Sequence, residues 1–197
     1  PMETTKNIIV FAGPSGVGKS TLSNILLHQS DDFEFSISAT TRPIRLGEKN
    51  GHDYYFFSKE EFQRRIDNEE FVEWEEVYPG TFYGTLKSEV SRITALDKVA
   101  VFDVDVLGAL SLKKAFGDQA HVIFIKPESI EALEARLKSR GTESDDEVKT
   151  RVARFKTELQ HEHDFDDVIV NETGKIDESK QTLIDIVKNN FPYTTLS

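Results

Sequence analysis

A glycine-rich segment near the start of the chain carries the clearest chemistry. It matches G-x-x-x-x-G-K-[ST] at every fixed position, and with the next residue the run is Gly13-Pro14-Ser15-Gly16-Val17-Gly18-Lys19-Ser20-Thr21. Glycines let the backbone curl so that its N–H groups point at a phosphate, and a helix N-terminus adds further donors. The Lys19 ammonium can reach the outer phosphates, and the Ser20 hydroxyl can ligate Mg²⁺. The pattern favours a binding site for ATP or GTP over a simple turn between a strand and a helix.

A second cluster of phosphate-binding side chains follows further along the chain. Arg42 and Arg45 lie in the run Ser38-Ala39-Thr40-Thr41-Arg42-Pro43-Ile44-Arg45, and Tyr54 comes shortly after them. Planar guanidinium groups match phosphate oxygens in pairs, so two of them beside a tyrosine hydroxyl can hold a small phosphate. The same residues equally suit a solvated turn with surface arginines. The local sequence leaves both interpretations open.

Glu73 is a candidate for reading a nucleobase. It lies in Phe71-Val72-Glu73-Trp74-Glu75-Glu76-Val77, where strand alternation puts odd and even positions on opposite faces. A carboxylate in a cleft can accept both the ring N–H and the exocyclic amine of guanine, whereas adenine offers no such pair on that edge. Tyr83 and Thr85 add nearby hydroxyls. The pattern alone favours an outward-facing Glu73 on an edge strand, and it predicts a core position for Trp74.

The elements that must hold these side chains follow from the hydrophobic pattern. An apolar run at 7–12 indicates a buried strand, and a helical stretch at Lys19–Gln29 comes after the glycines. Further apolar runs alternate with helical segments, the former at 99–104, 121–125 and 167–170, the latter at 106–116, 128–140, 145–162 and 177–190. This alternation predicts an α/β fold with a parallel sheet covered on both faces.

Residues 35–91 interrupt this alternation. Their strand-like pieces are Phe35–Ser38, Tyr54–Phe57 and Phe71–Val77. A helix is predicted at Lys59–Asn68, where Ser58 and Glu61 fit a capping box. We interpret the segment as an inserted lobe of mixed, mainly antiparallel structure.

A polar, glycine-interrupted stretch lies at 140–147 and predicts a mobile loop. Ser144 can cap the helix that follows, and Glu147 completes a second capping box. Acidic residues here are also favourable near the helix N-terminus.

Composition limits the class of protein. The chain has 197 residues, enough for one core, a formal net charge of −11 and no cysteine. A protein that grips a nucleic-acid backbone is normally basic, and disulfides need cysteine, so we expect neither a nucleic-acid partner nor disulfides. We find no apolar stretch long enough to span a bilayer and no signal-peptide pattern, so we expect a cytoplasmic protein without a membrane partner. Pro1 ahead of Met2 is interpreted as a residue left from expression.

Several motifs, taken together and in order, resemble the guanylate kinase family. They are the run Gly13–Ser20, Ser38 with Thr41-Arg42-Pro43-Ile44-Arg45, Gly51-His52-Asp53-Tyr54, Phe71-Val72-Glu73-Trp74, Tyr83-Gly84-Thr85, Asp103-Val104-Asp105 and Arg140-Gly141-Thr142-Glu143. The glycine-rich run occurs in many families, but its combination with the other elements is specific. The resemblance covers the chain from about Ile8 to Phe191.

The resemblance implies an ATP-dependent kinase that phosphorylates GMP, and dGMP as well, with Mg²⁺ as the cofactor. It implies a three-layer P-loop core with a parallel sheet (1–37, 92–127 and 161–197), an inserted mixed GMP-binding lobe (38–91) and a helical lid (128–160). The glycine-punctuated, charge-rich edges of the lobe and the lid predict that both swing onto the core when the two nucleotides bind. The expected assembly is a monomer or a homodimer.

The resemblance also implies roles for single residues. The GMP phosphate is held by Arg42, Arg45, Tyr54 and Tyr83, and the guanine edge by Ser38, Glu73, Thr85 and Asp105. Asp103 joins Ser20 in holding Mg²⁺, through water. The lid residues directed at the ATP phosphates are Arg136, Arg140 and Arg151. The expected catalytic set is Lys19, Arg42, Arg140 and Arg151.

Three features depart from the family pattern. Ala39 stands where many relatives have serine, and Val106-Leu107-Gly108 replaces an apolar-Gln-Gly sequence. The stretch 77–82 is a residue longer than in some relatives, which bears on the reach of Tyr83.

Two other functions remain open. One is an inactive guanylate-kinase-like module that binds a protein, and the other is a P-loop kinase for a different phosphate acceptor. The complete phosphate loop with Lys19 and Ser20, together with the Asp103 and Asp105 pair, argues against the first. Glu73 with Ser38 and Thr85 argues for guanine over other acceptors.

Overall fold

The computed structural model describes residues 5–196, so Pro1 and Met2 lie outside the described part of the chain. Within it, nine strands form two sheets, and seven α-helices pack around them. The strands are β1 (Ile8–Ala12), β2 (Phe33–Phe35), β3 (Ala39–Thr40), β4 (Tyr55–Phe56), β5 (Phe71–Tyr78), β6 (Thr81–Leu86), β7 (Val99–Val104), β8 (Ala120–Lys126) and β9 (Asp167–Val170). The helices are α1 (Lys19–Gln29), α2 (Lys59–Asp67), α3 (Lys87–Ala95), α4 (Val106–Phe116), α5 (Ile130–Arg140), α6 (Asp145–Glu158) and α7 (Ile176–Asn190).

The larger sheet is parallel throughout, with the strand order β2-β7-β1-β8-β9. Central strand β1 pairs on both sides, so that Ile8 lies opposite Ala100 in β7 and Ala120 in β8. Every residue of β1 is buried, because hydrophobic clusters cover both faces of the sheet. This confirms the predicted α/β core with a helix-covered parallel sheet.

The helices of the core follow the sequence pattern closely. Helix α1 has the predicted bounds, whereas α5 begins at Ile130, because the Ser129 hydroxyl accepts a hydrogen bond from the Ala132 N–H at 3.0 Å and caps the helix there. Helix α6 ends at Glu158, before the predicted end at 162, since the chain tightens into a 3₁₀ helix at Leu159–Asp164. None of the described helices has the length and apolar composition that crossing a membrane requires.

The smaller sheet lies within the predicted insertion. Its order is β4-β3-β6-β5, with β3 and β4 parallel and the other pairs antiparallel, so the sheet is mixed. Helix α2 covers one face, where the Phe62 and Phe71 rings stack with their centroids 4.5 Å apart. The sheet therefore has a small core of its own, formed by Ala39, Phe62, Phe71 and Leu86.

The beginning of the insertion differs from the prediction. The strand expected at Phe35–Ser38 forms instead at Phe33–Phe35, and it pairs with β7 in the larger sheet. Phe33 is buried in the core cluster on one face of that sheet, which fixes the strand there. Ser36 follows β2, and its N–H still donates to the Val101 carbonyl at 2.8 Å.

The end of the insertion holds a helix that the sequence pattern did not indicate. Helix α3 spans Lys87–Ala95, and the expected boundary between lobe and core at 91 and 92 falls inside it. Its start follows Leu86, which cannot accept a capping hydrogen bond, so the usual start signal is missing. Ile93 on this helix is buried in the main core, which is why the helix packs back onto the larger sheet.

The predicted core position of Trp74 is wrong, because its side chain is 44% exposed. The register of β5 against β6 shifts between Phe71 and Glu73, as at a β-bulge. Trp74 turns away from Glu73, and its ring lies against Phe82 at 6.1 Å between centroids. Glu73 is the buried residue of the pair, which contradicts the outward-facing alternative that the pattern alone favoured.

The two predicted capping boxes have different outcomes. At α6 both halves form, with the Ser144 hydroxyl accepting from Glu147 N–H and the Glu147 carboxylate accepting from Ser144 N–H. At α2 only the Ser58 half forms, at 3.1 Å from the Glu61 N–H. The Glu61 carboxylate instead accepts hydrogen bonds from two arginines of the same helix.

Candidate active site

The glycine-rich segment forms the turn between β1 and α1. Gly16 and Gly18 have φ angles of 80° and 99°, in the left-handed region that favours glycine. A Cβ atom at Gly18 would lie 2.4 Å from the Asn171 Nδ2 atom, so only glycine fits at this position. No side chain of the described residues caps α1, and its first N–H groups are therefore free to bind an anion.

Lys19 and Ser20 meet a carboxylate at the end of the neighbouring strand. The Lys19 ammonium donates to the carbonyls of Gly13 at 2.7 Å and Val104 at 3.2 Å, and it lies 3.4 Å from Asp103 Oδ1. The Ser20 hydroxyl donates to Asp103 Oδ2 at 2.8 Å. Because β1 and β7 are parallel neighbours, their carboxyl ends bring these groups together.

The Ser20 and Asp103 oxygens suit Mg²⁺. Hydroxyl and carboxylate oxygens are the hard ligands that this cation prefers, and it usually keeps water and phosphate oxygens as its remaining ligands. Within residues 5–196, no three or more His, Cys, Asp or Glu side chains are grouped so that they could hold a metal ion. The donor set therefore fits a cation whose other ligands are phosphate and water.

Asn171 supports the phosphate loop from behind. Its Nδ2 atom donates to the Val17 carbonyl at 2.8 Å, and its Oδ1 atom accepts from the Ser179 hydroxyl at 2.8 Å. Arg136 donates to the backbone carbonyls of Val17 at 3.3 Å and Asn171 at 2.6 Å. A further ion pair joins Arg136 to Glu128 at 3.1 Å. In this structure Arg136 therefore braces the loop rather than extending freely toward a nucleotide.

The other two arginines expected to reach the ATP phosphates share a buried carboxylate. The Glu143 side chain is 1% exposed, and its Oε1 atom lies 3.4 Å from Arg151 Nη2 and 3.9 Å from Arg140 Nη2. Arg151 lines the cleft, and an Arg140 nitrogen lies 3.6 Å from the position that a Cβ on Gly16 would occupy. Both guanidinium groups thus lie on the side of the cleft that contains the phosphate loop.

Glu73 is buried on the wall of the cleft. Its side chain accepts a hydrogen bond from the Thr85 hydroxyl, with 2.9 Å between Oγ1 and Oε1. The pKa of Glu73 is raised to about 8, mainly by burial; the hydrogen bond from Thr85 opposes the rise, and the nearby carboxylates of Asp105 and Glu75 add to it. A ligand with paired N–H donors would favour the ionised form.

Tyrosines form the neighbouring wall. The Tyr54 and Tyr83 rings meet edge to face at 6.0 Å between centroids, and both line the cleft with Ser38. Burial raises the pKa of Tyr54 to about 12, so its hydroxyl remains a hydrogen-bond donor at neutral pH.

Arg42 is held by a partner that the sequence did not indicate. Its guanidinium forms two hydrogen bonds with the Glu48 carboxylate, at 2.9 and 2.8 Å, and lies 5.1 Å from the Tyr54 ring centroid. The bond to Glu48 raises the pKa of Arg42 further. Arg45 bonds to Glu48 through its backbone alone, with its N–H donating to the Glu48 carboxylate at 2.8 Å and its carbonyl accepting from the Glu48 N–H at 3.0 Å, and its side chain is exposed. The predicted pair is thus split, with Arg42 beside the cleft and the Arg45 side chain in solvent.

Asp105 is already engaged at both carboxylate oxygens. Oδ1 accepts from the Gly108 N–H at 2.8 Å and caps α4, and Oδ2 accepts from Arg154 Nη2 at 2.6 Å. The carboxylate still lines the cleft beside Glu73 and Glu75. Its contact with guanine would therefore share an oxygen with Arg154.

A single cleft of about 890 Å³, counting its solvent-open mouth, joins these groups. The predicted site residues on its lining are Gly13, Pro14, Ser15, Lys19, Ser38, Tyr54, Glu73, Tyr83, Asp103, Asp105 and Arg151. Thr85 and Arg42 contact the lining residues Glu73 and Tyr54. Thr21 is an exposed residue in the first turn of α1.

Sequence reasoning missed several residues of the cleft and its support. Arg154 and Glu158 face each other one helical turn apart, with 2.7 Å between Nε and Oε1, and both line the cleft together with Tyr78. The spacing of Arg154, three residues after Arg151 and four before Glu158, places the three on one face of α6 and was a usable signal. Asn171 gave no local signal, because its role depends on a contact with a residue far away in the chain.

Known proteins resemble this chain over most of its length. A protein-family model described as Guanylate kinase matches residues 5–190. The guanylate kinase of Porphyromonas gingivalis is 52% identical over 166 residues, which cover 84% of this chain and 88% of that protein. The guanylate kinase of Bacteroides thetaiotaomicron is 43% identical over 186 residues, covering 94% of this chain and 90% of that one.

A solved structure gives the same result at the level of the fold. The crystal structure of guanylate kinase from Anaplasma phagocytophilum superposes with a TM-score of 0.73 at 30% identity, covering 94% of this chain and 86% of that chain. The shared fold, the family match and the identities over most of the length lead to one conclusion. The chain belongs to the guanylate kinase family.

Proposed function

We propose that this chain transfers the terminal phosphoryl group of ATP to GMP, and also to dGMP, releasing ADP and the nucleoside diphosphate. The observation that carries the proposal is the single cleft that joins the phosphate loop to the buried pair of Glu73 and Thr85. Membership of the guanylate kinase family supports it. Nothing in the cleft favours a protein-binding module without activity or a different acceptor.

On the donor side, the loop and α1 hold the triphosphate. The Lys19 ammonium exchanges its bonds to the carbonyls of Gly13 and Val104 for phosphate oxygens. Ser20 and Asp103 would hold Mg²⁺, which when bound neutralises charge on the phosphates during transfer. Asn171 keeps the loop in place by holding the Val17 carbonyl.

On the acceptor side, Glu73 accepts the ring N–H and the exocyclic amine of guanine. Thr85 fixes the carboxylate by donating to one oxygen, and Ser38 lies on the same lining as a further hydrogen-bonding group. Adenine would leave a buried acceptor unpaired, which costs on the order of 1–3 kcal/mol or more. Selectivity for guanine is the expected result.

Phosphoryl transfer brings two anionic phosphates together, so the site must cancel their repulsion. Lys19, Arg140 and Arg151 surround the donor, while Arg42 and Tyr54 approach from the acceptor side. Glu48 now neutralises Arg42, and we propose that the GMP phosphate replaces Glu48 as the partner of that guanidinium. No strong general base is needed, since the attacking oxygen is already an anion at neutral pH.

The division into core (1–37, 92–127 and 161–197), lobe (38–91) and lid (128–160) remains part of the proposal. Its basis is that the lobe has its own small core and that α5 and α6 lie on the opposite side of the cleft. The substrates support a cytoplasmic location, where ATP and GMP are both available. A monomer or a homodimer is the proposed assembly.

A coupled assay of ADP release tests the proposal, with GMP, dGMP, AMP, UMP and CMP as acceptors. We expect turnover with GMP and dGMP and, by comparison, little with the other three. Lys19→Met should lower kcat by about a hundredfold or more without unfolding the protein, whereas Lys188→Met on the exposed face of α7 should not. Equal turnover with AMP would refute guanine recognition, and binding without turnover would favour the inactive module.

A further inference from the structure

Three parts of the chain meet at the guanidinium of Arg154. Its Nη2 atom donates to Asp105 Oδ2 in the core at 2.6 Å, and its Nε atom donates to Glu158 Oε1 in the lid at 2.7 Å. Its Nη1 atom donates to the Val77 carbonyl on the lobe strand β5. We call these four residues the Arg154 junction. They join lid, lobe and core by direct hydrogen bonds.

An aromatic contact reinforces the junction. The Tyr78 ring on the lobe lies under two lid arginines, 5.1 Å from the Arg151 guanidinium carbon and 5.6 Å from that of Arg154. A cation over an aromatic face is attracted to the ring, and more strongly where water is excluded. The lobe strand β5 therefore contacts the lid both through the Val77 backbone carbonyl and through the Tyr78 side chain.

The charges around Arg154 make its role specific. Asp105 and Glu158 both bond to it, and Glu75 lies close enough for its carboxylate to be stabilised by the same cation. Burial raises the pKa of Glu158 and of Glu75, and Arg154 opposes the rise in each case. Without this cation, three carboxylates from lid, lobe and core would face one another across the cleft and repel.

We infer that Arg154 stabilises the closed arrangement in which the lid meets the lobe and the core, and so acts as a positioning residue for both nucleotide sites. The inference rests on the proposed function, because it concerns how the two nucleotide sites are brought together. A ligand that binds the closed arrangement has an apparent affinity reduced by the fraction of molecules that are open. Arg154 raises the closed fraction of the free enzyme and thereby strengthens binding of the first nucleotide.

The test measures GMP affinity by calorimetry, with and without saturating AMP-PNP and Mg²⁺. In Arg154→Met the ligand-free protein opens, so we expect GMP alone to bind about fivefold or more weakly than to the wild type. AMP-PNP closes both proteins, so its presence should reduce the difference to about twofold or less. The gain in GMP affinity caused by AMP-PNP is thus larger in the variant.

Controls separate this effect from others. Lys156→Met removes an exposed cation two residues along the same helix and should bind GMP like the wild type in both conditions. Arg154→Lys, which keeps the charge but not the fork, should lie between wild type and Arg154→Met. An equal loss of affinity with and without AMP-PNP would overturn the inference, since it would make Arg154 a direct contact or a purely structural residue. Unchanged affinity in both conditions would overturn it as well. A wild type that binds no GMP would instead refute the proposed function.

Discussion

The proposed recognition of guanine depends on the burial of a single side chain, that of Glu73. With 9% of its surface exposed, the residue loses most of the water that would stabilise its ionised form, and Thr85 replaces only one hydrogen bond. The pKa of the Glu73 carboxyl group is therefore raised to about 8, so without a ligand the group keeps its proton at neutral pH. In the proposed complex, paired N–H donors on a guanine ring would supply the missing bonds. Recognition and ionisation of this residue are consequently linked.

Replacing Glu73 with glutamine tests base recognition. One acceptor oxygen becomes an amide donor that faces a donor on guanine, so kcat/KM for GMP should fall by about a hundredfold or more. The ratio of GMP to AMP turnover should fall with it. Glu76→Gln is the matched control, because Glu76 is exposed on the same strand. A preserved preference for GMP in Glu73→Gln would contradict the assignment.

The raised pKa of Glu73 also predicts how stability depends on pH. Between its usual value of 4.5 and about 8, folded Glu73 keeps a proton that the unfolded chain releases, so this residue lowers the free energy of unfolding as pH rises. Urea unfolding of the ligand-free protein should therefore show that Glu73→Gln is more stable relative to the wild type at about pH 8.5 than at about pH 5. A constant difference at both pH values would mean that the carboxyl group titrates normally.

At the scale of the elements, the turn between β1 and α1 depends on a contact with another part of the chain. Gly18 needs a left-handed backbone, and it also approaches Asn171, which follows β9 and bonds to Ser179 in α7. The contact with Asn171 therefore fixes the glycine-rich turn from one side, and its other side stays open to a phosphate. Glycine is therefore required at position 18 both by the positive φ angle and by the close approach of Asn171.

Substituting alanine at Gly18 should show both effects. The methyl group would meet Asn171 Nδ2 at 2.4 Å in addition to the cost of the positive φ, so we expect a loss of about 2–4 kcal/mol and weaker ATP binding. Gly174→Ala is a matched control, since Gly174 has a φ of 78° and no neighbour within 4 Å among the described residues. It should cost only about 1–2 kcal/mol, with ATP affinity unchanged. Equal losses in the two variants, by thermal unfolding and nucleotide titration, would contradict the proposed contact.

The sequence predicted the core elements well because each carries a strong local signal. Strand β7 and helix α1 have the predicted bounds, set by apolar runs and by the glycine turn. Helix α3 was missed because Leu86 gives no cap, and β2 was misplaced because tertiary pairing with β7 decides where that short strand forms.

The residues of the candidate site likewise differ in how well the sequence predicted them. The phosphate loop is legible because its motif is contiguous, and Glu73 because a family resemblance points to it. The hydrogen bond that Arg42 donates to Glu48 arises from the geometry of the turn between them, and the Arg154 junction joins three distant segments. The i,i+4 spacing of Arg154 and Glu158 is a local signal, but no local pattern encodes the contacts of Arg154 with Val77 and Asp105, so those could be found only in the folded structure.

For the whole molecule, the proposed closure of the lid and the lobe onto the core predicts a change in overall size. A compact chain of this length has a radius of gyration of about 16 Å. We expect X-ray scattering to show a decrease toward this value when AMP-PNP, Mg²⁺ and GMP are added together. The Arg154→Met variant should start from a larger radius and show a greater decrease than the wild type. A radius unaffected by nucleotides in both proteins would contradict movement of either part.

The chain contains one tryptophan, and the back of β5 places it directly behind the acceptor pocket. Trp74 adjoins Glu73 in sequence, but its side chain faces away from Glu73 and is about half exposed to solvent. A nucleotide in the cleft therefore cannot stack on the indole ring and quench its fluorescence directly. Indole fluorescence therefore reports on the acceptor lobe alone, because the chain has no second tryptophan. No dye has to be attached. If the lobe moves on GMP binding as proposed, stopped-flow mixing of unmodified enzyme with GMP should show that movement as a change in indole emission, separate in time from the chemical step.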